Sequence, residues 1–308
     1  MKKSKQVLIF FLLVFSLSLF VSLVSVRQEL SREMLIMGTM CRISIIADKK
    51  LKIKQAENAL DKAFSLLKEY EHRWNFYSEE SELVLINAAA ANRPVKLLPD
   101  TFEIIKKSLI LARQTNGVFD ITATSLHKSG GYGTIILDQS NQSIFFSDAN
   151  TKIDLGGIAT GYAIDRIVEL FIDETIENYL IDIGGDIYAA GQNKKNKLWE
   201  IGVRNPFDKN DILYDFSLEN QAVTTSGNYI KQHIIDPQTS TLVKNNIISI
   251  TVIADSCLEA DVLATTFFIF GIEKTKTFID NYAGNLQALF VENFNNSHKI
   301  VKLNWEKD

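Results

Sequence analysis

Cysteine, proline and histidine are scarce in this 308-residue chain, which has two Cys, four Pro and four His. Cys41 and Cys257 cannot build a disulfide framework or a four-cysteine zinc site, and so few histidines leave little for a His-rich metal centre. An excess of basic charge is missing too. The formal net charge is -4, so there is no bulk electrostatic footprint for nucleic acid, and no nucleic-acid partner is expected. No repeat runs at solenoid or propeller periods, and no Pro/Ser-rich linker divides the chain after its N-terminal segment. Disorder is excluded by a hydrophobic content of 46%. The length fits one large or two medium domains with chain enough for a real core.

What the chain does have begins at its N-terminus. Lys2, Lys3 and Lys5 precede residues 7–26, an uncharged apolar run broken only by Ser16, Ser18, Ser22 and Ser25. Spanning a bilayer takes about 20 such residues. A signal-peptide core is shorter, about 7–15 residues, with a small-residue cleavage site behind it. Residues 1–30 therefore read as a signal anchor or a signal peptide, with the long run and the lack of a clear A-x-A site favouring the anchor. The lysines stay cytoplasmic by the positive-inside rule. Residues 31–308 are then expected as one domain on the extracytoplasmic side of the membrane, single-pass anchored or exported. No cysteine ends the run, so a lipid-modified cysteine is not available.

Residues 40–47 read as a strand. Ile53, Ala56, Leu60, Ala63, Leu67, Tyr70 and Trp74 step by three and four along one apolar helix face. Pro99-Asp100-Thr101-Phe102-Glu103 looks like a capping box opening a helix that Asn116-Gly117 closes. Residues 134–137 and 143–146 flank a polar turn as a hairpin. Residues 161–172 read as a helix, 179–183, 188–190, 199–203 and 247–254 as strands. Asp255 or Ser256 caps a helix running to about Phe270. Strands and helices mix without regular βαβ alternation, so the expected class is α+β rather than a doubly wound sheet.

Several segments carry chemistry, each with an ordinary alternative. Asp154-Leu155-Gly156-Gly157-Ile158-Ala159-Thr160-Gly161 precedes a helix. It is either a tight turn or a cradle where backbone amides and the helix N-terminus meet a phosphate. It is neither a Walker A loop nor G-x-G-x-x-G. Ile181-Asp182-Ile183-Gly184-Gly185-Asp186 reads as a bulge or strand-to-strand turn with acids on both sides. Asp261 and Thr265 lie four apart on one face of an apolar helix. A carboxylate and a hydroxyl there are hard oxygen donors that suit magnesium, or Asp261 serves the helix amides and Thr265 its own backbone. His233, between Thr225-Ser226-Gly227 and Asp236-Pro237, is a general base, a ligand contact or a structural histidine.

Taken in order, these segments resemble the ApbE family of FAD:protein FMN transferases, from about Ile36 to the C-terminus. Met37-Gly38-Thr39 resembles the family's opening motif. Tyr77, ahead of Ser81-Glu82-Leu83 and Asn87, resembles its tyrosine loop, and Gly117-Val118-Phe119-Asp120-Ile121-Thr122 its Phe-Asp-x-Thr motif. Residues 154–161, Gly184-Gly185-Asp186, Thr225-Ser226-Gly227, residues 233–237 and residues 260–265 complete the series. Single motifs are weak, but the ordered set is specific.

The resemblance implies a T-fold-like α+β architecture and a magnesium-dependent reaction. FAD is split at its pyrophosphate, FMN passes to a Thr or Ser hydroxyl of an acceptor protein, and AMP leaves. Metal ligands implied by the motifs are the Gly157 carbonyl, the Asp261 carboxylate and the Thr265 hydroxyl. Flavin contacts implied are Met37, Tyr77, Phe119, Asp120, Ile121, Asp154, Thr160 and His233, with His233 also the candidate base. Thr160 stands where the family usually has Lys, which removes a cation near the phosphates. The segment 126–133 is shorter than is usual in the family. Two other activities fit the same motifs: a flavin-binding module without transfer, and a metal-dependent FAD pyrophosphatase giving FMN and AMP.

Overall fold

The computed structural model describes residues 27–123, 130–208, 211–228, 234–237, 239, 241–294 and 297–306. The N-terminal apolar run lies outside these residues. The elements in chain order are β1 (Gln28–Ile36), β2 (Thr39–Ala47), α1 (Ile53–Trp74), α2 (Glu82–Ala89), β3 (Val95–Lys96), α3 (Pro99–Gln114), β4 (Ile135–Asp138), β5 (Ser143–Phe146), α4 (Ala159–Asp173), β6 (Tyr179–Ile183), β7 (Asp186–Ala190), β8 (Trp199–Arg204), β9 (Ile212–Leu218), β10 (Gln221–Gly227), β11 (Ile235–Asp236), β12 (Thr241–Leu242), β13 (Ile247–Ala254), α5 (Cys257–Asp280), β14 (Gln287–Phe294) and β15 (Ser297–Leu303).

An eight-stranded sheet runs in the order β1-β2-β6-β7-β10-β13-β14-β15, and every neighbouring pair is antiparallel. Helices are inserted between strands rather than alternating with them, so the expected α+β class holds. The strands keep chain order in the sheet. Residues between β2 and β6 supply α1–α4, and the β13-to-β14 connection supplies α5. One large core joins α1, α3, α4 and α5 to the sheet through Leu67, Ile105, Ile164, Phe171, Ile181, Val252 and Phe267. The opposite face is covered by the β8–β9 hairpin. There Trp199, Ile201, Phe216 and Leu218 meet Ile46, Ala189, Val223 and Ile253 of the sheet.

The apolar periodicity of α1 is realised: Ala56, Leu60, Ala63, Leu67, Tyr70 and Trp74 are buried, whereas Ile53 in its first turn is exposed. The capping box expected at the start of α3 is not formed. Leu98 is the N-cap residue and Pro99 enters the first turn. The cap comes from α2, where the Glu82 carboxylate accepts from Leu98 N at 2.8 Å and from the Thr101 hydroxyl at 2.6 Å. The helix expected to stop near Phe270 continues to Asp280 through a break at Gly271, whose φ of 75° interrupts the helical backbone.

Two tight turns meet at one end of the sheet. Met37-Gly38 joins β1 to β2 with both φ values positive, as a type I′ hairpin requires. Gly184-Gly185 joins β6 to β7 with φ of 68° and 101°. The Gly184 N–H donates to the Met40 carbonyl at 3.1 Å, so the turns lie side by side. A Cβ on Gly184 would lie 2.7 Å from the Thr39 hydroxyl oxygen. The Gly-Gly segment is thus a strand-to-strand turn.

Candidate active site

Residues 154–161 lead into α4. Asp154 N donates to the Ile121 carbonyl at 2.7 Å, which ties the glycine loop to the Phe119-Asp120-Ile121 segment. The Asp154 carboxylate turns back to accept Gly156 N at 2.9 Å. Gly156 and Gly157 are exposed. The N-cap residue of α4 is Ile158, which offers no side-chain acceptor to the first-turn amides. Thr160, half-buried, sits in that turn. Gly161 serves a different purpose from the exposed glycines. A Cβ there would lie 2.6 Å from Leu258 Cα and 2.7 Å from the Cys257 carbonyl, so glycine lets α4 and α5 touch backbone to backbone.

Asp261 and Thr265 share one face of α5, as their spacing requires. The Thr265 hydroxyl lies 3.0 Å from the Ser226 hydroxyl on β10, and the neighbouring Thr225 hydroxyl lies 2.8 Å from that of Thr251 on β13. Burial pushes the Asp261 carboxyl well above the ordinary carboxylate range, and the nearby Asp186 pushes the same way, while the Gly161 N–H favours the charge. Asp186, opening β7, is pushed up to about 6, chiefly by burial, with the Thr224 hydroxyl easing it and Asp182 adding to it. Asp186 therefore lies within electrostatic reach of both Asp182 and Asp261.

Asp120 is buried, and its carboxylate accepts from Thr122 N at 2.8 Å, the Thr122 hydroxyl at 2.8 Å and Tyr132 N at 2.9 Å. These bonds hold the 119–122 turn against Tyr132, so Asp120 acts on its neighbours Phe119 and Ile121. Ile121 is buried and the Phe119 ring borders Gly157. Met37 sits in the β1–β2 turn, its N–H bonded to Glu71 at 2.7 Å. Tyr77 is 92% exposed, its ring edge-on to Phe76, and no hydrogen bond or ring contact among the described residues joins it to the glycine loop. His233 lies outside the described residues, as do residues 124–129 of the shortened segment. The structure thus brings Phe119, Asp120, Ile121, Asp154, Gly157, Thr160, Asp261 and Thr265 into one neighbourhood. Sequence reasoning did not assign site roles to Asp186 and Ser226, although both stand in segments it singled out.

A divalent cation suits this donor set. Among the described residues no group of three or more His, Cys, Asp and Glu is arranged as a metal site. The set at issue instead combines one carboxylate, one hydroxyl and one exposed loop carbonyl, all hard oxygens. Asp261 has no ion-pair partner among the described residues, and its charge is disfavoured by burial and by Asp186. A bound cation would offset both.

Fold and site together define an α+β protein that gathers a glycine loop, a helix N-terminus and half-buried carboxylates beside an antiparallel sheet. The chain belongs to the ApbE family, whose model matches residues 37–290. It is similar to proteins called FAD:protein FMN transferase in Klebsiella pneumoniae, at 28% identity over 73% of this chain and 79% of the relative, and in Treponema pallidum, at 25% over 86% and 84%. Among solved structures, the flavin transferase ApbE of Vibrio cholerae matches at a TM-score of 0.79 and 23% identity, covering 90% of this chain and 97% of that one, a likeness of fold. The ApbE protein of Thermotoga maritima matches at 0.77 and 25% identity, with 90% and 97% covered.

Proposed function

We propose that this chain transfers FMN from FAD to a Thr or Ser hydroxyl of an acceptor protein, releasing AMP. The observation that carries the reading is the likeness to relatives of that name over most of both chains, and it is supported by the contacts that join the segments 119–121 and 154–161 and those that join α4 to α5. In the reaction the acceptor oxygen bonds to the FMN phosphorus, the bridging P–O bond breaks, and AMP departs with the bridging oxygen. Such a displacement needs positioning and charge neutralisation more than covalent help from the protein.

The chain supplies both. The exposed Gly156-Gly157 turn and the N-terminus of α4 face the pyrophosphate. Asp120 holds the turn that presents Phe119 and Ile121 as an apolar wall for the flavin ring, and Met37 and Tyr77 complete the flavin contacts. Asp261, Thr265 and the Gly157 carbonyl hold magnesium, which when bound neutralises phosphate charge. His233 takes the proton of the acceptor hydroxyl. Thr160 offers a hydroxyl where the family usually has Lys. Residues 7–26 anchor the domain on the extracytoplasmic side of the membrane; among the described residues no helix is long and apolar enough to cross one.

The test is to incubate the full chain with FAD, magnesium and a candidate acceptor, and to weigh the acceptor and quantify AMP. Acceptor gaining FMN supports the reading. AMP and free FMN without acceptor modification support the pyrophosphatase, and FAD bound intact supports a binding module.

A further inference from the structure

We propose that Asp165 is a positioning residue for the cation site, holding the first turn of α5 against α4 so that Asp261 and the Gly157 carbonyl act on one ion. The proposal rests on the metal reading made under the proposed function.

Gly161 and Asp165 lie four apart on α4 and share the face that meets α5. Gly161 provides close backbone approach, and Asp165 provides the polar half of the joint. One carboxylate oxygen accepts from Cys257 N at 2.7 Å, and the other accepts from the Ser256 hydroxyl at 2.6 Å and Leu258 N at 3.2 Å. First-turn amides have no partner within their own helix, and a negative charge there is favourable.

Capping alone does not account for the arrangement. α5 already carries its own cap, since the Ser256 hydroxyl accepts from Glu259 N at 3.3 Å. What Asp165 adds is a tie across 91–93 residues of chain. The tie is reciprocal, because the Gly161 N–H of α4 faces the Asp261 carboxylate of α5. α4 therefore grips the first turn of α5 at residues 256–258 and again at Asp261. Gly157 stands four residues before Gly161, and Asp261 four after Cys257. Two of the three proposed ligands are carried by this one joint. Losing a partner that orients a metal ligand typically lowers metal affinity by about 10–100-fold.

The experiment uses the full chain and Mn2+ as the probe, read from the paramagnetic resonance of the free ion, so no turnover is needed. In Asp165→Asn the amide oxygen keeps the Cys257 bond, while the NH2 in place of the other oxygen cannot accept from the Ser256 hydroxyl or Leu258 N, so two of the three bonds to α5 are lost. Mn2+ affinity is expected to fall at least about tenfold, with FAD affinity measured without metal unchanged. Ser256→Ala removes the cap of α5 and one bond to Asp165; it is expected to lower Tm and leave Mn2+ affinity near that of the parent. Asp165→Glu keeps a carboxylate set one methylene further out, so it retains the joint in altered register should Asp165→Asn not fold, and it too is expected to bind Mn2+ more weakly. Parent-like Mn2+ affinity in both Asp165 variants, whatever their Tm, overturns the proposal alone and leaves Asp165 a cap. A parent protein that binds no Mn2+ overturns the proposal together with the metal reading.

Discussion

Replacing Gly161 by Ala tests the joint between α4 and α5 most sharply. In a helix interior, Gly→Ala ordinarily stabilises by up to about 1 kcal/mol. Here the added Cβ would lie 2.6 Å from Leu258 Cα, 2.7 Å from the Cys257 carbonyl oxygen and 2.9 Å from Leu258 N. Ordinary contact starts near 3.4 Å, so the helices must part by roughly 0.8 Å. All three obstacles are backbone atoms, and no rotamer change relieves them. Overpacking of this kind costs about 1–3 kcal/mol, and the partial loss of the hydrogen bonds from α5 to Asp165 adds to it. We expect Gly161→Ala to lose about 2 kcal/mol net, near the upper end of the overpacking range less the helix-propensity gain. At about 2–4 °C per kcal/mol in a domain this large, Tm should drop by roughly 4–8 °C. FAD turnover should fall more than stability accounts for, because Asp261 moves with α5. Urea denaturation and turnover below Tm measure the two effects separately. A neutral or more stable Gly161→Ala would refute the close-approach argument.

Asp261→Asn keeps the shape and removes the charge proposed to hold magnesium; FAD turnover should fall at least about 100-fold with folding intact, and near-parental turnover at limiting magnesium would contradict the assignment. Thr160→Lys restores a cation beside the phosphates; FAD should bind roughly tenfold tighter, with the gain shrinking as salt rises, whereas unchanged binding at two salt concentrations would mean the loop has rearranged around Thr160. Asp186 has its carboxyl raised from 3.8 to about 6, so the native state holds a proton that the unfolded chain has released across that interval. Metal-free stability contributed by this group is therefore full below pH about 4 and lost as pH rises through about 6, at about 1.4 kcal/mol per unit of raised pKa. Denaturation across that range should show the decline in the parent and not in Asp186→Asn; equal slopes would oppose it.

Much of the architecture was legible because it rests on local pattern. The α1 face and the 247–254 strand are periodic apolar segments, and the structure places them where period and composition indicate. β1 carries little sequence signal, because its residues alternate only weakly, exposed and half-buried, on the sheet edge. The full length of α5 is hidden in the sequence because Gly271 is an ordinary stop signal, yet the chain resumes helix beyond it. The cap of α3 by Glu82 joins residues 16 and 19 apart, beyond the reach of a capping-box pattern. At the site, the segments were visible but their division of labour was not. Gly156, Gly157 and Gly161 look alike in a glycine loop, and only the packing separates two exposed turn residues from one at a helix contact. Asp120 reads as a ligand contact in its motif, and the bonds its carboxylate accepts from Thr122 and Tyr132 leave no mark in that motif. The Asp165 tie pairs residues about 90 apart and leaves no mark in sequence spacing.

The central claim is that this one site moves FMN onto a protein hydroxyl. The most direct measurement is the intact mass of an acceptor protein after incubation with the full chain, FAD and magnesium, with a second acceptor whose Thr or Ser is replaced by Ala. The expected result is one added FMN on the first acceptor, none on the second, and AMP in equal amount. AMP released in step with free FMN, with both acceptors unmodified, would contradict the claim.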